Sequence, residues 1–190
     1  RFFALSGGGI AAALLAACGS SSSSSDTTAT ADTSGATSGI TGGGGGDGTI
    51  KIGYVTPSTG PLAAFASADE YLFAGIKDFF KDGLRIGGKS YMIEILVEDS
   101  ESDPNKAGEK AGKLITQDGI DIMLVGNTPD TTNPVSDQCE ANGVPCISSL
   151  APWQPWFIGR GGKPGETQFE WTYHFFWGLE DIIPQFISMW

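Results

Sequence analysis

From Thr49 onward the chain alternates between two hydrophobic periods. Ile50-Lys51-Ile52-Gly53-Tyr54-Val55 predicts a strand, closed by the loop residues Pro57-Ser58-Thr59-Gly60-Pro61. Ala68 to Lys81 sets Leu72, Phe73, Ile76, Phe79 and Phe80 on one face and predicts a helix, ended by Gly83 and Gly87-Gly88. Tyr91 to Val97 predicts a second strand that runs into the acidic loop Glu98 to Asp103. Asp103-Pro104 is a helix start, an N-cap followed by proline at the first position; Ala107, Ala111, Leu114 and Ile115 then point inward. Ile122 to Val125 is apolar throughout, as a central parallel strand must be. Thr132 to Asn142 predicts a third helix and Val144 to Ser148 a fourth strand.

This alternation predicts an α/β fold, an open parallel sheet with right-handed crossovers. The pattern breaks over Ser149 to Glu170, a stretch rich in proline and glycine and too long for a routine connection. Trp171 to Phe175 predicts one more strand. Glu180 to Trp190 predicts a helix with Ile182, Ile183, Phe186, Ile187 and Trp190 on one side. The opening at Arg1 and the end inside an apolar helix read as a chain cut at both ends.

Composition divides the molecule. Residues 1–49 carry four charges (Arg1, Asp26, Asp32, Asp47), so the core must come from the remainder. Ile10 to Ala17 has the length of a signal-peptide apolar region rather than a membrane span. It leads into Leu15-Ala16-Ala17-Cys18-Gly19, which resembles the bacterial lipobox, where small residues admit the peptidase and the cysteine sulfur takes the lipid. Residues 1–18 are therefore expected to be a lipoprotein signal peptide with Cys18 as the lipidated residue. The Ser/Gly-rich stretch 19–48 is expected to be a flexible tether with a reach of roughly 30 Å. Its glycine run precedes the first strand rather than following one, so it is not a dinucleotide fingerprint.

The net charge of −11 excludes a nucleic-acid binder, and a single histidine excludes a metal centre built on several. No cofactor is expected. A Ser-His-Asp hydrolase would need a Gly-x-Ser-x-Gly elbow, which the chain lacks; His174, among aromatic residues, reads as a packed or hinge residue. Gly159 to Pro164 lacks the Ser/Thr of a phosphate loop and reads as an exposed turn. The acidic run 98–103 lacks the pattern of a calcium loop and reads as solvated. Cys139 and Cys146 fit either a disulfide, if their Cα atoms lie within roughly 7 Å, or two buried free thiols.

Several segments together resemble type I solute-binding proteins of ABC transporters, the branched-chain amino acid binding group. These are Thr49 to Gly53 leading into Ser58-Thr59-Gly60-Pro61, Val97 to Pro104, Gly119 to Ile122, and Asn133 to Ser136 through Asn142 to Pro145. The resemblance covers about residues 50–185. It implies a flavodoxin-like strand order, helices on both faces, and two lobes closing on a solute. Residues 49–170 would be the first lobe, and 171–190 the crossover strand and first helix of a second lobe that is mostly absent. It further implies a small-molecule solute, an ABC permease as partner, a monomer, and an extracytoplasmic, lipid-anchored location. The same fold serving a membrane receptor as a sensor, or a secreted enzyme, are the competing readings.

In open α/β sheets ligands sit beyond the carboxyl ends of the strands. That rule selects Ser58 and Thr59 after the first strand, Asn127 to Thr131 after the third, and Ser148 to Trp153 after the fourth. The resemblance implies carboxylate binding by Thr128, Asp130 and Thr131, and ammonium-side contacts from Ser149, Leu150 and Pro152. Asp130 and Pro152 depart from the family pattern, and Trp153 and Trp156 add aromatic surface. An amide, a cationic metabolite or an aromatic compound therefore stands beside an amino acid as the expected solute.

Overall fold

The computed structural model describes residues 38–41 and 46–190. The expected signal peptide, the lipidation site Cys18 and most of the tether lie outside the described residues. Within the tether range, Ser38–Thr41 form strand β1, which pairs antiparallel with residues 94–97. An unpaired sheet edge offers free N–H and C=O groups to any adjacent extended segment, whatever its side chains.

The elements that follow are β2 (Gly48–Thr56), α1 (Asp69–Phe79), β3 (Leu84–Ile86), β4 (Lys89–Asp99), α2 (Pro104–Thr116), β5 (Ile122–Val125), α3 (Pro129–Asn142), β6 (Cys146–Ser148), α4 (Trp153–Phe157), β7 (Thr172–His174) and α5 (Leu179–Met189). The sheet order is β1-β4-β2-β5-β6-β7, with β3 also beside β4. Its parallel part, β4-β2-β5-β6-β7, runs second-first-third-fourth-fifth, the flavodoxin-like order.

Alternation along the strands divides the core into two. Tyr54, Ile93 and Ile95 face α1 and pack with Phe73, whose ring meets that of Tyr54 edge-on at 5.1 Å. Val55, Leu96, Met123 and Val125 face the other way, against Ala107, Ala111 and Leu114 of α2 and Val135 and Cys139 of α3. Helices thus cover both faces. Gly53 leaves room where β2 passes under this second layer: a Cβ there would fall 2.6 Å from Ile120 Cδ1, and that side-chain end would have to shift.

Helix α2 starts where the Asp103-Pro104 signal places it: the Asp103 carboxylate accepts from the backbone N–H groups of Asn105 at 2.7 Å and Lys106 at 3.1 Å. Helix α3 begins at Pro129, before the Thr132 that periodicity suggests, because Pro129 supplies the fixed φ of a first helical position. It ends at Gly143, whose φ of 68° lets Val144 N–H reach back to the Cys139 carbonyl.

Three expectations change. Gly87-Gly88, read as helix terminators, form the turn of the β3–β4 hairpin, with φ of 58° and 84°. Glu98 is not solvated: it closes β4, is 5 % exposed, and pairs with Lys110 at 3.1 Å and Lys113 at 2.5 Å on α2. Gly159 and Gly161 are exposed in a turn, as expected, but Arg160 directs its side chain inward. Its side chain is fully buried, bonded to Asp137 at 2.6 Å and Thr172 at 3.0 Å, with Phe169 and Trp156 against its guanidinium. Cys139 and Cys146 are free, buried thiols in this structure. Among the described residues no helix is long and apolar enough to cross a membrane.

Candidate functional site

The order of the parallel strands reverses between β2 and β5, so α1 leaves on one face and α3 on the other, opening a crevice at their carboxyl ends. Thr56 ends β2 and Asn127 follows β5; both are buried. The Asn127 side-chain amide donates to Thr56 Oγ1 at 3.1 Å, and the Thr56 hydroxyl donates to Asp69 Oδ2 at 2.5 Å. The Tyr54 hydroxyl lies 3.5 Å from the other Asp69 oxygen. Burial pushes the Asp69 carboxyl up, opposed by the Thr56 and Tyr54 bonds. Burial, followed by the Asp69 charge, raises the Tyr54 phenol well above its usual range, so it stays a donor.

Backbone strain gathers on the same rim. Among the described residues the non-glycines with positive φ are Glu101 (52°), Ser102 (60°), Asn127 (82°) and Leu150 (68°). They follow β4, β5 and β6, and such conformations persist where the surrounding structure over-determines them.

Two hollows adjoin Asp69 at the α1 N-terminus, and the second also runs along α1 to Phe79 and Phe80. The first, about 450 Å³, is lined by Thr56, Ser58, Asp69, Glu70 and Phe73 among others. The second, about 580 Å³ and mostly apolar, is lined by Tyr54, Phe65, Asp69, Leu72, Asn127 and Leu150 among others. Asp69 belongs to both.

The predicted residues divide between these hollows and the scaffold behind them. Ser58 lines the first hollow, and Asn127 and Leu150 meet in the second. Thr59 ties two rim loops together: its hydroxyl donates to Asp99 at 2.7 Å, and its carbonyl accepts from Ser102 Oγ at 2.6 Å. Thr128 is the N-cap of α3, yet its side chain makes no capping bond, and its Oγ1 is buried without a partner. Asp130 is exposed in the first turn of α3, while Thr131 is buried there. The Ser149 hydroxyl donates to the Phe175 carbonyl at 2.9 Å. The Trp153 indole N–H donates to Glu180 at 2.8 Å, joining α4 to α5. Trp156 does not add surface to the rim: it is buried, stacked on His174 at 4.8 Å, and donates to Ser136 Oγ at 3.1 Å.

Ser148 and His174 also bond, at 2.8 Å. His174 Nε2 faces the Ala151 carbonyl at 2.8 Å and must donate there, so Nδ1 accepts from the Ser148 hydroxyl. Burial pulls the His174 pKa down, which keeps the ring neutral. Ser148 is fully buried, so this pair presents no nucleophile to the crevice. Among the described residues no cluster of three or more His, Cys, Asp or Glu could hold a metal ion.

Asp69, Tyr54 and Phe65 escape the sequence argument. Asp69 reads there as an acidic residue in a helix first turn; only the packing of α1 on β2 shows that it reaches Thr56.

A sequence model of the periplasmic binding protein family matches residues 49–188. No curated protein matches significantly. Among solved structures, the chain resembles the branched-chain amino acid transporter substrate binding protein LivJ from Streptococcus pneumoniae in complex with isoleucine. The identity is 24 % and the TM-score 0.54, over 68 % of this chain and 34 % of that one. A solute binding protein of an ABC transporter from Rhodopseudomonas palustris BisB5, in complex with 3,4-dihydroxy benzoic acid, shows 18 % identity and a TM-score of 0.56. It covers 74 % of this chain and 36 % of its own. An extracellular ligand-binding receptor from Rhodopseudomonas palustris HaA2 shows 21 % identity and a TM-score of 0.56, over 74 % and 36 %. The chain thus spans about a third of the length of these structures. With the family match extending over most of the sequence and the sheet in the order described, the chain belongs to the periplasmic binding proteins.

Proposed function

We propose that this chain is the solute-capturing lobe of a lipid-anchored substrate-binding protein that serves an ABC importer outside the cytoplasm. Its task is capture by lobe closure, with no covalent chemistry and no cofactor. The binding free energy of the solute shifts an open–closed equilibrium. The permease, the membrane through a lipid on Cys18, and the solute are its partners; the protein works as a monomer. The observation that carries this reading is the rim at the strand reversal. There Asn127 and Leu150 are held in strained backbone beside a mostly apolar hollow, and the Thr128 hydroxyl is buried with no partner.

The lining favours a solute with an apolar body and a polar head. Phe65, Tyr54 and Leu150 offer apolar surface, while Asn127 and Asp69 offer polar groups. The ligands of two related structures, isoleucine and 3,4-dihydroxy benzoic acid, share that character. A thermal-shift screen of the purified protein against amino acids, amides, ureas and aromatic acids tests the proposal. A stabilising hit bound stoichiometrically without turnover supports it. Conversion of the hit to product would establish an enzyme instead.

A further inference from the structure

Cys139 lies in the last turn of α3 and Cys146 opens β6, and the chain between them turns sharply through Gly143. The bond from Val144 N–H to the Cys139 carbonyl, at 3.0 Å, folds this connection back on the helix end. Both side chains point into the same core layer, and both residues are fully buried. Ser136, one helical turn before Cys139, brings its Oγ to 3.9 Å from Cys146 Sγ. Residues three apart share a helix face, so Cys139 lies on the face of α3 that Ser136 turns toward Cys146.

We propose that Cys139 and Cys146 close a disulfide that staples α3 to β6 when the chain folds in an oxidising compartment. The stapled segment leads directly into the rim: α3 begins beside Thr128, and β6 ends before Ser149 and Leu150. Locking the far ends of both elements therefore holds the two solute-facing loops in register. The proposal draws on the extracytoplasmic reading only for the source of oxidant, a protein thiol oxidase or a small-molecule disulfide.

With glutathione disulfide the balance is simple. One cysteine thiolate attacks the oxidant's disulfide and releases one glutathione thiolate; the second cysteine thiolate displaces the other. Two protons and two electrons pass from the protein thiols to glutathione, giving one protein disulfide and two glutathione thiols. Timing follows from burial. Both cysteines are fully buried in the folded core, so an oxidant reaches their sulfurs only before the core closes. The bond forms during folding rather than after it.

The test is refolding of the reduced, denatured full chain in an oxidising glutathione buffer. Remaining thiols are then blocked with N-ethylmaleimide in denaturant, and tryptic peptides are weighed without reduction. Residues 114–160 contain no internal Lys or Arg, so both cysteines fall in one peptide, free of Cys18. The expected result is a peptide lighter by about two protons' mass and carrying no maleimide. Two maleimide adducts on that peptide would overturn the proposal. The Cys139→Ala/Cys146→Ala double variant is expected to melt roughly 5–10 °C lower than the oxidised protein. An unchanged melting point would overturn the staple as a structural element. Solute binding is measured separately, so a reduced peptide in a protein that still binds solute discards the disulfide and leaves the capture function standing.

Discussion

Asn127 donates its side-chain amide to Thr56 Oγ1 across 3.1 Å, joining the carboxyl ends of β5 and β2 at the point where the strand order reverses. The bond is buried, and Asn127 makes it from a backbone with φ of 82°. Asparagine tolerates this conformation better than most residues. One side chain thereby sets the width of the crevice floor and passes a hydrogen bond on to Asp69.

Asn127→Ala is expected to destabilise the fold by about 2 kcal/mol, from the lost buried hydrogen bond and the unfavourable φ together. Asn127→Gly keeps the first loss and relieves the second, so its cost is expected nearer about 1 kcal/mol. Urea unfolding of the two variants checks the order. Glycine proving the more damaging would show that backbone strain plays no part.

Asp69 gives the crevice a pH dependence. Its folded pKa is raised by burial, so its contribution to stability is fully present below the unfolded value of about 3.9 and is lost as pH rises through the higher folded value. Asp69→Asn removes this titration. Melting points measured across that range should show wild type losing ground to the asparagine variant as pH rises. Parallel curves would contradict the assignment.

Asp103 behaves in the opposite sense. The backbone N–H of Lys106, and then that of Asn105, hold its carboxyl below the usual range. The stability it supplies is present above about pH 4 and is lost as pH falls through the depressed folded value. The melting-point gap between wild type and Asp103→Ala should therefore be constant near neutrality and shrink in acid. A gap that persists below the folded value would mean that the side chain acts by packing rather than by charge.

Arg160 is the buried tie between α3 and β7, bonded to Asp137 and Thr172 and enclosed by Phe169 and Trp156. Lysine lacks the planar fork and the flat face these partners use. Arg160→Lys is expected to cost about 3 kcal/mol in urea unfolding. A loss within about 0.5 kcal/mol, as at an exposed position, would contradict the buried role.

The long elements were legible because each carries its own period. β2, β4 and β5 are apolar runs or alternations between turn residues, and α2 announces itself by Asp103-Pro104. β3 has three residues and α4 five, too few for periodicity to register, so the hairpin and the α4 turn stayed hidden. Glu98, Arg160 and Asp69 look like ordinary surface charges in sequence. Each owes its burial to a partner 10 or more positions away: Lys110 and Lys113, Asp137, and Thr56. The rim loops were found by the strand-end rule alone. That rule locates a loop without saying which side chains turn to the hollow and which, like Thr59 and Ser149, serve the scaffold.

The most direct test concerns the buried, partnerless hydroxyl of Thr128. Thr128→Val keeps the side-chain shape and removes only the hydroxyl. Calorimetric titration of the solute from the screen into both proteins should show affinity lower by roughly tenfold in the variant, the worth of one hydrogen bond, with the unliganded stability unchanged or raised. Equal affinity for the two proteins would contradict the claim that this rim receives the solute.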